Sequence, residues 1–473
     1  MDNKKSLALA GAGALFAATC LTTPAVAQEA NPFTFGAYFR SGAGTTSEEG
    51  GIACVRLPGS ITFFRLGNEC DTYVELRFGS KLGEVKGTTF DAKFTFSHGT
   101  QGLANWEQSA PALREAFVTA DNIGAALGMK SLEGANLWVG KRFYKNPDIH
   151  MLDYAYWEPG MGPGFGIDNV AMGPGRFAYA MFRIGDMTGY GINPSLGGYN
   201  PDLIGGGSRS ATVHDFRLEK IGVNPGGSLT VGFDLIRANN RGGTSTYTVD
   251  TPQSLDLDNN PATPNVEVLV RETRTIDNKP GKNGAAFTVS HEQENFLGVG
   301  GTNTLGLQFA KNAASLKGFG FAGSTDERKE WLVFDHWLYQ PAGSRWSATS
   351  TVGYRNSDIN DVGVKELWLG TRPHYSLNEV LGLYGELGYQ QLKQESQATR
   401  KLTKLTLGTQ FAMGEGVFAR PALRLYATYA KWNDAAASAG SVVCTGRDCA
   451  TPVSAFADKR SAMFYGVQVE AWF

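Results

Sequence analysis

The stretch Tyr465 to Phe473, YGVQVEAWF, alternates with period two. Tyr465, Val467, Val469, Ala471 and Phe473 fall on one face, and Gly466, Gln468, Glu470 and Trp472 fall on the other. This is the pattern of a strand with one apolar and one polar face. It recurs along the chain. Phe33, Phe35, Ala37 and Phe39 oppose Thr34, Gly36, Tyr38 and Arg40, and Phe90, Ala92, Phe94 and Phe96 oppose Asp91, Lys93, Thr95 and Ser97. Leu229, Val231, Phe233 and Leu235 oppose Thr230, Gly232 and Asp234, and Leu405, Leu407 and Phe411 oppose Thr406, Gly408 and Gln410. A single such strand also fits the edge of a soluble sheet.

Repetition decides between the two settings. In a sandwich the apolar faces pack on each other across two sheets of a few strands each, which has no use for so many charges on the opposite face. In a membrane barrel the apolar face meets lipid and the charged face lines a wet lumen. A spanning strand needs about 9–11 residues, and strand plus connection takes roughly 25. The expected fold is therefore all-β, a transmembrane antiparallel β-barrel of about 18 strands, wide enough to leave an aqueous channel.

The N-terminus carries an address. Lys4 and Lys5 precede an apolar run from Leu7 to about Leu21, followed by Thr23, Pro24 and Ala25-Val26-Ala27. This pattern reads as a secretory signal peptide over residues 1–27, with the barrel over 28–473 as one domain. Cys20 is discarded with the signal on this reading. Cys54, Cys70, Cys444 and Cys449 then remain as two close pairs, which suggests Cys54–Cys70 and Cys444–Cys449 disulfides in an oxidising compartment, although spacing leaves other pairings open. Glycine at 60 of 473 residues and aromatics at 11% suit a large exported β protein, and a formal charge of −2 gives no basic field for nucleic acid.

Turn residues punctuate the strands. Asn224-Pro225-Gly226-Gly227 reads as a tight turn at the periplasmic rim. The Gly-, Asn- and Pro-rich stretches Gly185 to Gly207, Asn239 to Asn283 and Ala435 to Ala457 read as extracellular loops.

Five stretches carry a family resemblance: FGAYFRSGAG from Phe35, FRLGNECDTYVELR from Phe64, GKRFYKNPDIHMLDYAYW from Gly140, ARPALRLYATYAKW from Ala419, and the terminal EAWF. In this order, from about Phe33 to Phe473, they resemble maltoporin, the sugar-specific porin family of the outer membrane. The resemblance implies an 18-stranded homotrimeric barrel in outer-membrane lipid for passive diffusion of maltose and maltodextrins. It implies no enzyme activity and no cofactor or metal. Sugars of the family slide along a path of aromatic rings. Carried over by position, that path is Tyr38, Tyr73, Trp106, Phe287, Phe418 and Trp472, with Trp106 in a loop that in the family reaches into the neighbouring subunit.

Parity supports Tyr38, Tyr73, Phe418 and Trp472, which share the polar faces of their strands with Arg40, Glu75, Arg420 and Glu470. Phe287 sits among Ala286, Thr288 and Ser290, with no clean two-faced pattern. The bland reading of any one ring is an interface-belt or packing residue. A pyranose offers an apolar C–H face to a ring and a belt of hydroxyls that both donate and accept. The flanking polar track implied by family position is Arg40, Arg65, Glu75, Arg114, Asp148 and Asp153. Any of these also suits a generic wet lumen.

At the constriction the family usually has a bulky tyrosine where this chain has Ala155, and commonly an arginine where it has Asn146. Both changes predict a wider or differently selective bore. Asn146 and Phe418 are similar to the sucrose-specific branch, whose N-terminal coiled-coil extension has no counterpart here. A sucrose or other oligosaccharide porin and a general diffusion porin are the alternatives. A phage or colicin receptor role is compatible with any such surface protein. An outer-membrane enzyme finds little support: G-x-S-x-G and H-E-x-x-H do not occur, and the G-x-G-x-x-G match at Gly318 to Gly323 is followed by Ser324-Thr325-Asp326-Glu327-Arg328 rather than an amphipathic helix.

Overall fold

The computed structural model describes residues 32–48, 50–101, 111–185, 192–193, 198–199, 210–239, 243–255, 266–278, 281–320, 326–446, 449 and 451–473. Eighteen of its strands form one sheet. In chain order they are β1 (Phe33–Thr46), β2 (Asp71–Val85), β3 (Thr88–Gln101), β4 (Ala112–Asp121), β5 (Asn136–Lys141) and β6 (Pro163–Met172). Then come β7 (Gly175–Gly185), β8 (Ser210–Asn224), β9 (Gly227–Ala238), β10 (Gly284–Glu294), β11 (Thr302–Lys311) and β12 (Arg328–Tyr339). The last six are β13 (Trp346–Ile359), β14 (Val362–Ser376), β15 (Leu381–Gln394), β16 (Arg400–Ala412), β17 (Ala422–Trp432) and β18 (Ser461–Trp472).

Each strand pairs antiparallel with its neighbours in this order, and β18 pairs back onto β1, with Tyr38 opposite Trp472 and Arg40 opposite Glu470. The sheet is thus a closed barrel with no free edge, which satisfies every ladder without water. The outer face carries the rings and aliphatic chains that alternation assigns to it: Phe35, Phe94, Leu235, Leu407 and Phe411 are all exposed. The inner face buries charge, including Arg40, Glu386, Lys404, Arg424 and Glu470. This is the inverted polarity of a lipid-spanning barrel.

One rim has mainly short connections, such as residues 86–87, 173–174 and the Pro225–Gly226 turn between β8 and β9. The opposite rim carries 47–70, 142–162, 312–327 and 433–460, together with the connection after β9. The latter includes a two-stranded ribbon, Gly243–Leu255 paired with Val266–Asn278. The cysteines join as the two close pairs: Cα atoms lie 5.7 Å apart in Cys54–Cys70 and 5.0 Å apart in Cys444–Cys449. Cys54 and Cys444 are themselves register partners in a short sheet that ties 47–70 to 433–460.

The apolar core lies inside the barrel, where three long connections fold inward. Phe64, Tyr144, Ile149, Met151, Leu152, Tyr154, Tyr156, Trp157, Ala313, Ala314 and Leu316 pack with inward wall residues such as Phe334 and Trp368. The wall makes room with glycine. A Cβ at Gly232 would meet the Trp157 ring at 2.0 Å, and one at Gly388 would meet Phe64 at 2.1 Å. Gly318 to Gly320 of the glycine-rich motif are part of this inward packing: Gly318, with φ +78, lies against Asp234, and Gly320 bridges to Ala314, while residues 321–323 lie outside the described residues.

Candidate functional site

Three neighbouring strands at the seam supply three rings. Tyr73 projects from β2, Tyr38 from β1 and Trp472 from β18, all on the inward face. The Tyr38 ring lies 6.1 Å from Tyr73 and 6.5 Å from Trp472, the latter pair only 17° from parallel. Beyond Trp472 the sequence of rings continues with His150, at 5.7 Å, and then Phe418, 5.2 Å from His150, both contacts edge-on. The result is one trail, Tyr73, Tyr38, Trp472, His150, Phe418, running toward the rim of short turns. Phe418 reaches it from the connection at residues 413–421, not from a strand face, because β17 begins only at Ala422.

Phe287 corrects the sequence expectation. It stands directly opposite Phe233 and Phe309, both exposed on the outer face, while its neighbours Ala286 and Thr288 are buried inward. Its ring therefore faces lipid. The reason is steric: on this wall the interior is occupied by Tyr156, Trp157 and the 313–316 segment, so the inward positions are small. Trp106 lies outside the described residues.

The charges beside the trail form one connected network. Arg40 binds Asp71 with two hydrogen bonds of 3.0 and 2.9 Å, and sits 3.1 Å from Glu69 and 3.8 Å from Asp153. Arg65 donates to Glu69 at 2.8 Å, to the Tyr38 hydroxyl at 2.9 Å and to Glu470 at 2.9 Å. Glu470 also accepts from Arg420 at 2.6 Å and Arg424 at 3.0 Å. Of the expected polar track, Arg40, Arg65 and Asp153 thus meet at Tyr38. Glu75 accepts from the Tyr73 hydroxyl at 2.7 Å and pairs with Arg77. Arg114 stands apart, over the Phe143 ring at 5.1 Å. Asp148 is exposed.

The constriction residues sit on the inward loop 142–162. Asp148 pairs with Ala155 and Ile149 with Tyr154 in a two-rung ribbon. The loop is anchored at both ends. The Tyr144 hydroxyl donates to Asp168 at 2.5 Å, Arg217 donates to the Lys145 carbonyl at 2.9 Å, and Gln308 donates to the Tyr156 carbonyl at 2.7 Å. Asn146 is half-buried and its Oδ1 has no partner among the described residues.

Sequence reasoning missed Glu470, Arg420, Arg424, Glu69 and Asp71 as members of the network. Strand parity signals that Glu470 and Arg424 face inward. What it lacks is the closure that brings β17, β18 and β1 together. In the sequence His150 is a histidine between two carboxylates, Asp148 and Asp153, and nothing there places it beside Trp472 and Phe418. Its ring is held between two aromatics, with Arg65 Nη1 3.1 Å away. Burial, and then the Arg65 charge, push its pKa down to about 3, against the pull of Glu470. Among the described residues no group of three or more His, Cys, Asp or Glu side chains could hold a metal ion.

Solved structures similar to this chain include the outer membrane protein opdK from Pseudomonas aeruginosa, at 10% identity and TM-score 0.45, covering 93% of this chain and 99% of that one. An anion-selective porin from Comamonas acidovorans matches at 11% identity and TM-score 0.43, covering 93% and 99%. The trimer form of OmpT from Vibrio cholerae matches at 9% identity and TM-score 0.37, covering 94% and 100%. The LamB porin family matches residues 33–473, almost the whole chain. With its closed 18-stranded barrel, this chain is an outer-membrane porin channel, and it belongs to the LamB porin family.

Proposed function

We propose that this porin is a saccharide-selective channel for maltose, maltodextrins or related oligosaccharides, working as a homotrimer after residues 1–27 are removed. The observation that carries this reading is the unbroken run of rings from Tyr73 to Phe418 beside a continuous line of paired charges. A ring on a water-facing wall is costly unless something apolar covers it. A sugar supplies that cover with its C–H face. Its hydroxyls meet the mixed donors and acceptors of Arg40, Arg65, Glu75 and Asp153, and Tyr38, Tyr73, Trp472 and Phe418 carry the sliding face. Each contact is weak, as passage requires release as well as entry. Family and fold point to a channel rather than an enzyme.

Sucrose is the second reading, favoured by the uncharged Asn146 on the inward loop and by Phe418 at the end of the trail. Ion-current block in planar bilayers across a panel of maltooligosaccharides and sucrose tests both. Saturable block supports the selective channel, and the order of affinities assigns the sugar. Current insensitive to every sugar would leave only a general diffusion porin.

A further inference from the structure

The network beside the trail is not evenly balanced along its length. At the Tyr73 and Tyr38 end, Arg40 meets Asp71, Glu69 and Asp153, and Glu75 stands beside Arg77. At the Trp472 and Phe418 end, the single carboxylate of Glu470 serves three guanidinium groups. Its Oε2 takes both Arg420 and Arg424, and its Oε1 takes Arg65. Among the described residues Arg420 and Arg424 pair with no second carboxylate. Arg424 turns its Nε to the neutral Gln410 instead, at 3.0 Å.

Two buried nitrogen atoms at this end are left over. Arg420 is 7% exposed and its Nε has no hydrogen-bond partner among the described residues. His374 Nδ1 is in the same state, at 3% exposure. Arg420 also lies on the trail itself, with its guanidinium carbon 4.1 Å over the Trp472 ring. Burial, and then repulsion from Arg424, hold the Arg420 pKa below its ordinary value despite Glu470. An arginine stays charged under such pressure; Nη1 of Arg420 is met by the Val417 and Ala419 carbonyls at 3.2 and 2.9 Å, and further negative charge nearby would stabilise it more.

A neutral sugar hydroxyl both donates and accepts, and mixed surroundings suit it. An end with surplus guanidinium donors suits a group that only accepts. We propose that the Trp472–Phe418 end of the trail receives an anionic substituent of the saccharide, a carboxylate or a phosphate monoester, so that acidic oligosaccharides pass with preference over neutral ones. This rests on the saccharide reading above. Arginine favours such oxyanions through paired, charge-assisted hydrogen bonds. Glu470 keeps the site from becoming a trap, because it competes for the same guanidinium groups.

The test is block of ion current through the purified porin in planar bilayers, with maltotriose, digalacturonate, maltose 1-phosphate and inorganic phosphate as probes. The expected result is half-block by at least one acidic sugar at about tenfold lower concentration than maltotriose, which corresponds to about 1.4 kcal/mol. Which of the two acidic sugars shows it identifies the oxyanion. The advantage shrinks as salt rises. Arg420→Gln is expected to remove most of the difference between acidic and neutral sugars, read as the ratio of their half-block concentrations in the same variant, and Arg420→Lys to retain part of it. Equal or weaker block by both acidic sugars, with maltotriose still blocking, overturns the proposal and leaves the saccharide reading intact. Block by inorganic phosphate as strong as by the acidic sugars also overturns it, in favour of a bare anion site. Failure of every sugar to block removes both readings.

Discussion

Trp472 stands directly across from Tyr38 where the last strand closes onto the first, and their rings lie nearly parallel with centroids 6.5 Å apart. Residues at opposite ends of the chain therefore build the middle of the trail. Trp472→Ala leaves a gap between Tyr38 and His150 that a sliding pyranose must cross without a ring. The expected effect is about tenfold weaker block by the preferred sugar, from loss of roughly 1–2 kcal/mol of ring contact. Open-channel conductance is expected to stay equal or rise. A titration of current block in wild type and variant checks this, and unchanged affinity would remove Trp472 from the path.

Glu470 is the hub of the network, with Arg65, Arg420 and Arg424 converging on it. Glu470→Gln leaves three buried guanidinium groups without their shared carboxylate. Removing one partner of a buried ion pair costs about 3–5 kcal/mol. The variant is expected to fold in lower yield and to unfold at lower temperature, read by the loss of compact mobility on heating. Glu75→Gln, beside an exposed arginine, is expected to change stability by less than about 1 kcal/mol.

Much of this architecture is legible in the sequence, for a physical reason. Lipid outside and water inside impose opposite demands on alternate residues, so strands such as β1, β9 and β16 declare both their existence and their orientation. Tyr38 and Trp472 follow from the same parity. Phe287 does not, because its inward neighbours Ala286 and Thr288 are small. They are small because Tyr156, Trp157 and the 313–316 segment fill the bore there, and period two carries no information about loops that fold inward. The hub at Glu470 is hidden for a related reason: its partners come from residues 65, 420 and 424, and only barrel closure brings them together.

His150 makes the inward loop sensitive to acid. Its pKa in the fold lies near 3, against 6.5 for the free imidazole, and 18% of its side chain still touches the bore. The unfolded chain therefore takes up a proton between those values and the folded chain does not. The contribution to stability is complete above pH 6.5 and is lost progressively as pH falls toward 3. The charged groups acting on the ring are Arg65 and Arg372, which disfavour its protonation, and Glu470, which favours it. Denaturant unfolding measured across this window should show the loss, and His150→Gln should flatten that part of the profile. Identical profiles would mean other groups dominate.

Asp234 faces Asp215 across β8 and β9, both fully buried. Arg217 gives its Nε to Asp215 at 2.9 Å, whereas neither carboxylate oxygen of Asp234 has a hydrogen-bond partner among the described residues. Two carboxylates facing each other in a dry wall cannot both ionise readily, and Asn in place of Asp234 removes the second acid and supplies a donor. Asp234→Asn is expected to raise stability by about 1 kcal/mol. Asp215→Asn strips Arg217 of its anion and is expected to cost about 3 kcal/mol. Thermal unfolding of the two variants separates them by sign, and destabilisation by both would show that Asp234 has a favourable role in the wall.

Ala155 lies on the inward ribbon opposite Asp148, between the buried rings of Tyr154 and Tyr156. Those two rings face away from the bore, Tyr156 onto Phe334 at 4.7 Å and Tyr154 toward Trp368 at 6.4 Å. Alternation along the ribbon turns residue 155 the other way, and there it presents only a methyl group. Ala155→Tyr puts a phenol into that space without disturbing the packed faces on either side. The expected outcome is a lower single-channel conductance, tighter block by linear maltooligosaccharides and weaker passage of branched or bulkier sugars. Planar-bilayer recordings on the variant decide it: unchanged conductance would show that the narrowest part of the bore lies elsewhere and that the small residue at 155 does not set its width.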